Sequence, residues 1–300
     1  MDYVLGTANL GLPYGQALVR ELPDESRVGA ILDAARAHGI GWLDTAAAYG
    51  QAEARIGRYL ARTTGVGQLR ISTKLSPALD GKLENAEQSV SAAVVASAEL
   101  LGTPLDQLLV HRWTQYRASQ GRIWSTLRTL RTDGHILRLG ASVQSPDEVR
   151  DALAAPDVET IQLACNLLDW RYDTPDFASR LASRSARIEV RSVFLQGLLT
   201  LSDGVRFPRT TQHYDEEAIR RFLIEAAGEL TGGNLVALCF RYATGLPWAD
   251  AVVFGVDSPR QLDEVMAAVQ AGPFPADVMA WLRARRPNVP AALLDPAQWL

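Results

Sequence analysis

Cysteine is scarce: the 300 residues hold two, Cys165 and Cys239, each inside an apolar segment. Neither belongs to a CxxC pair or a Cys/His cluster, which excludes a disulfide scaffold and a thiolate metal site and leaves two buried thiols in a reducing, cytoplasmic setting. No apolar run approaches the ~18 residues that span a bilayer, and no basic-then-apolar leader opens the chain, so no membrane association is expected. Excess positive charge is also missing. The 30 Lys and Arg residues are dispersed among 34 Asp and Glu, giving a net charge of −4 and a pI of about 5.7. This balance offers no footprint for nucleic acid and points to small-molecule partners. Nor is there a Ser/Pro-rich linker. With 47% hydrophobic residues, the chain reads as one domain over 1–300, ending in a tail from about 272 to 300.

What the chain does have is alternation. Short β-like runs and helical patterns succeed one another, as parallel strands joined by crossover helices require. Strands are expected at Tyr3–Thr7, in the stretch from Ile40 to Asp44, and at Arg70–Lys74, Asp106–His111, Ile136–Ser142, Ile161–Asn166, Ile188–Val193 and Ala251–Gly255. Helices are expected after Asp24 (with Val28, Ile31, Leu32 and Ala35 inward) and at Ala52–Leu60 and Glu84–Leu101, then around Ile123, Leu127 and Leu130 and after Ser145-Pro146. Two more follow a loop from Leu199 to His213, at Glu216–Leu230 and Asn234–Ala243, and another opens at Ser258-Pro259. In the tail, Asp277–Arg286 reads as helical and the rest as irregular. Eight such units in roughly 270 residues match an α/β (β/α)8 TIM barrel. An open doubly wound sheet is the runner-up, but no GxGxxG follows its first strand.

A barrel places its chemistry at the carboxyl ends of its strands. The second strand ends in Asp44, the third in Lys74 and the fourth in His111, and Tyr49 follows Asp44 after a run of small residues. Each taken singly reads as a solvated or structural polar group. Neighbouring strands lie about 4.8 Å apart, so together these side chains meet over one barrel mouth. A phenol is a poor acid at neutral pH, but an ammonium about 4 Å away favours the phenolate by up to roughly 4 kcal/mol at an effective dielectric near 20. A carboxylate beside that ammonium keeps it charged, and an imidazole can hydrogen-bond a substrate oxygen.

Leu5-Gly6-Thr7-Ala8, Leu43 to Gly50, Ser72-Thr73-Lys74, Leu108 to His111, Leu139 to Ser142, Ile161-Gln162-Leu163, Ser192 to Leu198 and Phe254 to Leu262 together resemble the aldo-keto reductase superfamily over almost the whole chain. The resemblance implies a catalytic tetrad of Asp44, Tyr49, Lys74 and His111, and hydride transfer between a nicotinamide cofactor and a carbonyl. It also implies cofactor contacts: Thr7 at the end of the first strand, Ser142 and Gln162 at the carboxamide, and Arg191, Ser192, Phe194, Gln196, Gly197 and Leu198 along the nicotinamide and pyrophosphate. Gly255, Val256, Ser258, Arg260 and Gln261 fall at the adenosine end. Tyr14, Trp113 and Asn166 are candidate substrate contacts, with Trp299 in the tail either joining them or pinning the tail to the barrel.

The chain departs from the family pattern in several places. Arg191 stands where many relatives carry an aromatic residue that stacks on the nicotinamide; a planar guanidinium can stack, but it adds charge. Val143 and Val265 replace common Asn residues. Gln261 stands where NADPH-selective relatives often have Arg, with Asp257 nearby and Arg260 as the main compensation. The family's habit favours NADPH, with NADH the alternative. Two other functions remain open: a nicotinamide-binding regulatory barrel with little turnover, and a cofactor-free lyase using Lys74 as a Schiff-base amine.

Overall fold

A computed structural model describes residues 1–15, 21–63, 69–77, 85–119, 121–201 and 204–300. The eight strands are β1 (Asp2–Gly6), β2 (Trp42–Asp44), β3 (Arg70–Leu75), β4 (Leu105–Val110), β5 (Ile136–Val143), β6 (Thr160–Ala164), β7 (Arg187–Arg191) and β8 (Ala251–Phe254). Each pairs in parallel with its sequence neighbours, and β8 pairs back onto β1, closing the barrel. The expected (β/α)8 architecture is therefore the observed one, and the open sheet is not.

Local sequence explains where the surrounding helices begin. Asp24, Ser145, Asp215, Asn234 and Ser258 each cap a helix by accepting a hydrogen bond from the backbone N–H three residues on, which satisfies one of the donors that every helix start leaves free. The expected start at Glu84 lies outside the described residues; the described helix runs Ala86–Leu101. Pro175–Ala182, between β6 and β7, was not located from sequence. Thr174 caps it and Pro175 starts it, but only Phe177 and Leu181 are buried, too few to mark an apolar face. The loop after β7 also forms a short 3-10 segment, Leu195–Thr200. The tail is anchored locally: Trp299 Nε1 donates to Leu293 O at 3.0 Å and Leu300 N to Arg209 O at 2.9 Å.

The barrel interior is divided. Val4, Trp42, Ala251 and Val253 form a small apolar plug on the β8–β1–β2 side. Across from it the interior is polar and buried: Ser72, Gln107, Thr160, Gln162 and Glu189. The large apolar core lies outside, between the strands and the helices. No single helix among the described residues is long and apolar enough to cross a membrane.

Candidate active site

β2 delivers Asp44 and β3 delivers Lys74 to the same point inside the mouth. The Lys74 ammonium donates to Asp44 Oδ2 at 2.6 Å, to Asp44 Oδ1 at 2.7 Å and to Thr45 O at 3.0 Å. Lys74 is 1% exposed. Burial by itself would favour the neutral amine, but the Asp44 carboxylate and the Tyr49 phenol hold its pKa above the ordinary lysine value. All three of its protons have acceptors, so the amine has no free lone pair for imine formation, which counts against the Schiff-base reading.

Tyr49 sits on the loop after β2, with the ammonium 5.2 Å from its ring centroid. His111, one residue past β4, meets that ring edge-on, with centroids 6.0 Å apart and planes at 88°. Burial, then the positive charges of Lys74, Arg191 and Arg112, push the His111 pKa down to about 3, so the imidazole is neutral near pH 7. Among the described residues no partner reaches its Nδ1.

The position of Tyr49 depends on two glycines. A Cβ on Gly11 would lie 1.8 Å from Tyr49 O and 2.4 Å from Ala52 N. Gly50, at φ +55°, would place a Cβ 2.4 Å from Gly11 O. The turn after β1 therefore packs backbone to backbone against the loop that carries the phenol.

Asp44 and Tyr49 share one cavity of about 390 Å³ with the loop after β7 and the start of the helix Pro259–Gln270. Thr7, Arg191, Ser192, Phe194, Gln196 and Gly197 line it, as do Gly255, Val256, Arg260, Gln261 and Tyr14. Thr7 also ties β1 to β2, donating its hydroxyl to Asp44 O at 2.9 Å. The loop bends tightly, with positive φ at Ser192, Leu195, Gln196 and Gly197.

Several expected residues stand behind the cavity wall. Gln162 is buried and donates its amide to Asp44 Oδ1 at 2.7 Å and to Glu189 Oε2 at 3.2 Å, leaving its own Oε1 without a partner among the described residues. Ser142 and Val143 O receive the Arg191 guanidinium at 3.4 and 3.3 Å. Leu198 is packed in the core, and Ser258 caps its helix by accepting from Gln261 N at 3.3 Å. Trp113 and Asn166 do not reach the cavity. Trp113 is 1% exposed and stacks on Tyr116 with centroids 4.4 Å apart, while Asn166 turns its Oδ1 to Leu168 N at 3.0 Å. Both belong to the packing at the base of their loops.

Sequence reasoning missed Asn9, which donates to Val256 O at 2.5 Å and to Asp257 Oδ1 at 3.1 Å. It also missed Arg27, whose Nε reaches Asp257 O at 2.8 Å, and Glu264, which lines the cavity and pairs with Arg260 at 2.6 Å. Position in the repeat was the available signal for Asn9, two residues beyond Thr7. Arg27 and Glu264 looked like ordinary helix-surface charges.

Solved structures share this architecture. An aldo-keto reductase from Bacillus halodurans in its holo form superposes with a TM-score of 0.76 at 20% identity, over 95% of this chain and 92% of that one. The apo form gives 0.70 at 21% identity, over 93% and 91%. A putative aldo-keto reductase from Pseudomonas aeruginosa gives 0.63 at 20% identity, over 89% and 88%. No curated protein sequence matches the chain. The model of the aldo/keto reductase family matches residues 3–285, and by that match over nearly its whole length the chain belongs to the aldo/keto reductase family.

Proposed function

We propose that the chain is an NAD(P)H-dependent oxidoreductase that reduces the carbonyl of a small aldehyde or ketone, a sugar included, or oxidises the matching alcohol. The observation that carries this reading is the buried, charged Lys74 held by Asp44 beside the Tyr49 ring. Tyr49 hands its phenolic proton to the carbonyl oxygen, and Lys74 balances the negative charge left on the phenolate. Asp44 fixes the direction of the ammonium. Neutral His111 donates one hydrogen bond to the same carbonyl oxygen and so orients the substrate.

The cavity fits a nicotinamide dinucleotide. When bound there, a reduced nicotinamide would supply the hydride. The helix starting at Pro259 offers free N–H groups and Arg260 to phosphate, and the cavity runs from it to Tyr49. Ser192, Phe194, Gln196 and Gly197 supply the wall between these points, and Thr7, Gly255 and Val256 the wall opposite. The Arg260–Glu264 pair is exposed and spaced i,i+4, so it is worth only about 0.3–0.5 kcal/mol and leaves Arg260 easily recruited by a 2′-phosphate. NADPH is therefore the proposed cofactor.

The test is turnover. Wild-type protein should oxidise NADPH over a panel of aldehydes and ketones, and Tyr49→Phe should lose at least ~10²-fold in kcat while still binding NADPH. Activity near wild type in that variant would overturn the assignment of the acid. Tight NADPH binding by the wild type with no turnover would favour the regulatory barrel instead.

A further inference from the structure

One buried charge in the barrel is not used by this reaction. β7 reads Arg187-Ile188-Glu189-Val190-Arg191, and with a two-residue repeat its charged residues share the inner face while Ile188 and Val190 pack outward. Glu189 is 3% exposed. Its Oε2 accepts from Gln162 Nε2 at 3.2 Å; its Oε1 accepts from Arg187 Nε at 3.3 Å and Gln107 Nε2 at 3.4 Å. Gln162 in turn donates to Asp44 at 2.7 Å. A continuous chain thus runs from Lys74 through Asp44, Gln162 and Glu189 to Arg187, which reaches Asp2 at 2.7 Å at the far end of the barrel.

Every group that contacts Glu189 is a donor, so the ionised carboxylate is the form this pocket satisfies. Burial, then the charge of Asp44, raises its pKa, while the bond from Gln162, the charge of Arg187 and the bond from Gln107 oppose that rise. The groups facing it are Asp44 from β2, Gln107 from β4, Gln162 from β6 and Arg187 from its own strand; β8 and β1 present the apolar plug. Arg191 lies two residues further along the same face, about 6.6 Å away by strand geometry. Lys74 and Arg191 bring two positive charges to the mouth; Asp44 pairs with Lys74, while the Arg191 guanidinium meets only hydroxyl and carbonyl oxygens among the described residues.

We propose that Glu189 is a positioning residue that supplies the second negative charge beneath the tetrad, holding Asp44 in place through Gln162 and setting the pH range in which Tyr49 donates its proton. The assignment rests on the reductase reading above. Glu189→Gln removes the charge with little change of shape. The local field then becomes more positive, the phenolate is favoured, and the alkaline fall of kcat moves to lower pH by about one unit, taking a charge roughly 10 Å away at an effective dielectric near 20. Glu189→Asp keeps the charge and should hold that fall within a few tenths of a unit, whatever its effect on kcat.

The profile of NADPH oxidation against pH is measured for wild type and for each variant. An unmoved fall in an active Glu189→Gln protein overturns the proposal, whereas loss of Tyr49 dependence overturns the reaction assignment instead. Should Glu189→Gln not fold, the double variant Glu189→Gln/Arg187→Met removes the carboxylate together with its ion-pair partner; the two lost charges oppose each other, so its alkaline fall should move in the same direction by less than about half a unit, and a fall that is unmoved or moves to higher pH overturns the proposal. Infrared difference spectra of wild type minus variant give a readout independent of turnover. A carboxylate band at pH 7 is expected, and a protonated carboxyl band at that pH overturns the proposal.

Discussion

At the scale of single residues, position within a layer separates the site's charges by role. Lys74 and Asp44 are almost sealed, so their pairing is strong and directional, whereas Arg260 and Glu264 lie at the open end and screen each other weakly. Glu264 lines the cavity beside Arg260, the residue that the proposed function assigns to a 2′-phosphate. Glu264→Gln should therefore tighten NADPH several-fold at low ionic strength and leave NADH nearly unchanged. Fluorescence titration with both cofactors checks this. An equal gain for the two would mean that Glu264 acts on the shape of the site rather than on the extra phosphate.

Among the elements, the turn after β1 and the loop after β2 form one unit around Gly11 and Gly50. Gly11→Ala forces the two backbones apart, and the phenol moves with its loop. A displacement near 1 Å costs about 10²-fold in rate, so kcat should fall by that order while the protein still unfolds cooperatively. A full-rate Gly11→Ala enzyme would show that the loop is placed by other contacts. Most strands were legible because each is a short apolar or alternating run between helical patterns, and the observed boundaries lie within two residues of expectation. Asp44, Lys74, His111 and Tyr49 could be placed because strand ends in a barrel converge. What stayed hidden depends on which way a strand faces. In β7 the outer face is the apolar one and the inner face carries Arg187, Glu189 and Arg191, so alternation alone could not show that Glu189 points beneath the tetrad. Trp113 misled for the opposite reason: an aromatic residue just past a strand can either line a mouth or pack its base, and here it packs.

For the molecule as a whole, the neutral imidazole of His111 links the site to acid stability. Its native pKa of about 3 lies below the ordinary value of 6.5, so above pH 6.5 neither the folded nor the unfolded chain protonates it and it contributes nothing. Below pH 6.5 the unfolded chain takes up a proton that the native state refuses. Stability then falls by about 1.4 kcal/mol per pH unit from this residue, until the native imidazole also titrates. Glu189 and the other carboxylates add their own dependence, which cancels in a comparison with His111→Gln. Urea unfolding at pH 7.5, 5.5 and 4.5 should show the variant gaining on wild type as the pH drops, by about 1.4 kcal/mol between the last two. Parallel curves would mean that His111 is protonated in the native fold.

The closure of β8 onto β1 sets a timetable for the ribosome. Val4 and Leu5 are made some 250 residues before their partners Val253 and Phe254, roughly 10 to 50 s earlier at 5–20 residues per second. Throughout that interval β1 presents an unpaired edge, and the inner apolar plug lacks Ala251 and Val253. A chain made only as far as β7 is therefore an open sheet with a half-built apolar plug, and that edge needs shielding until the last strand emerges.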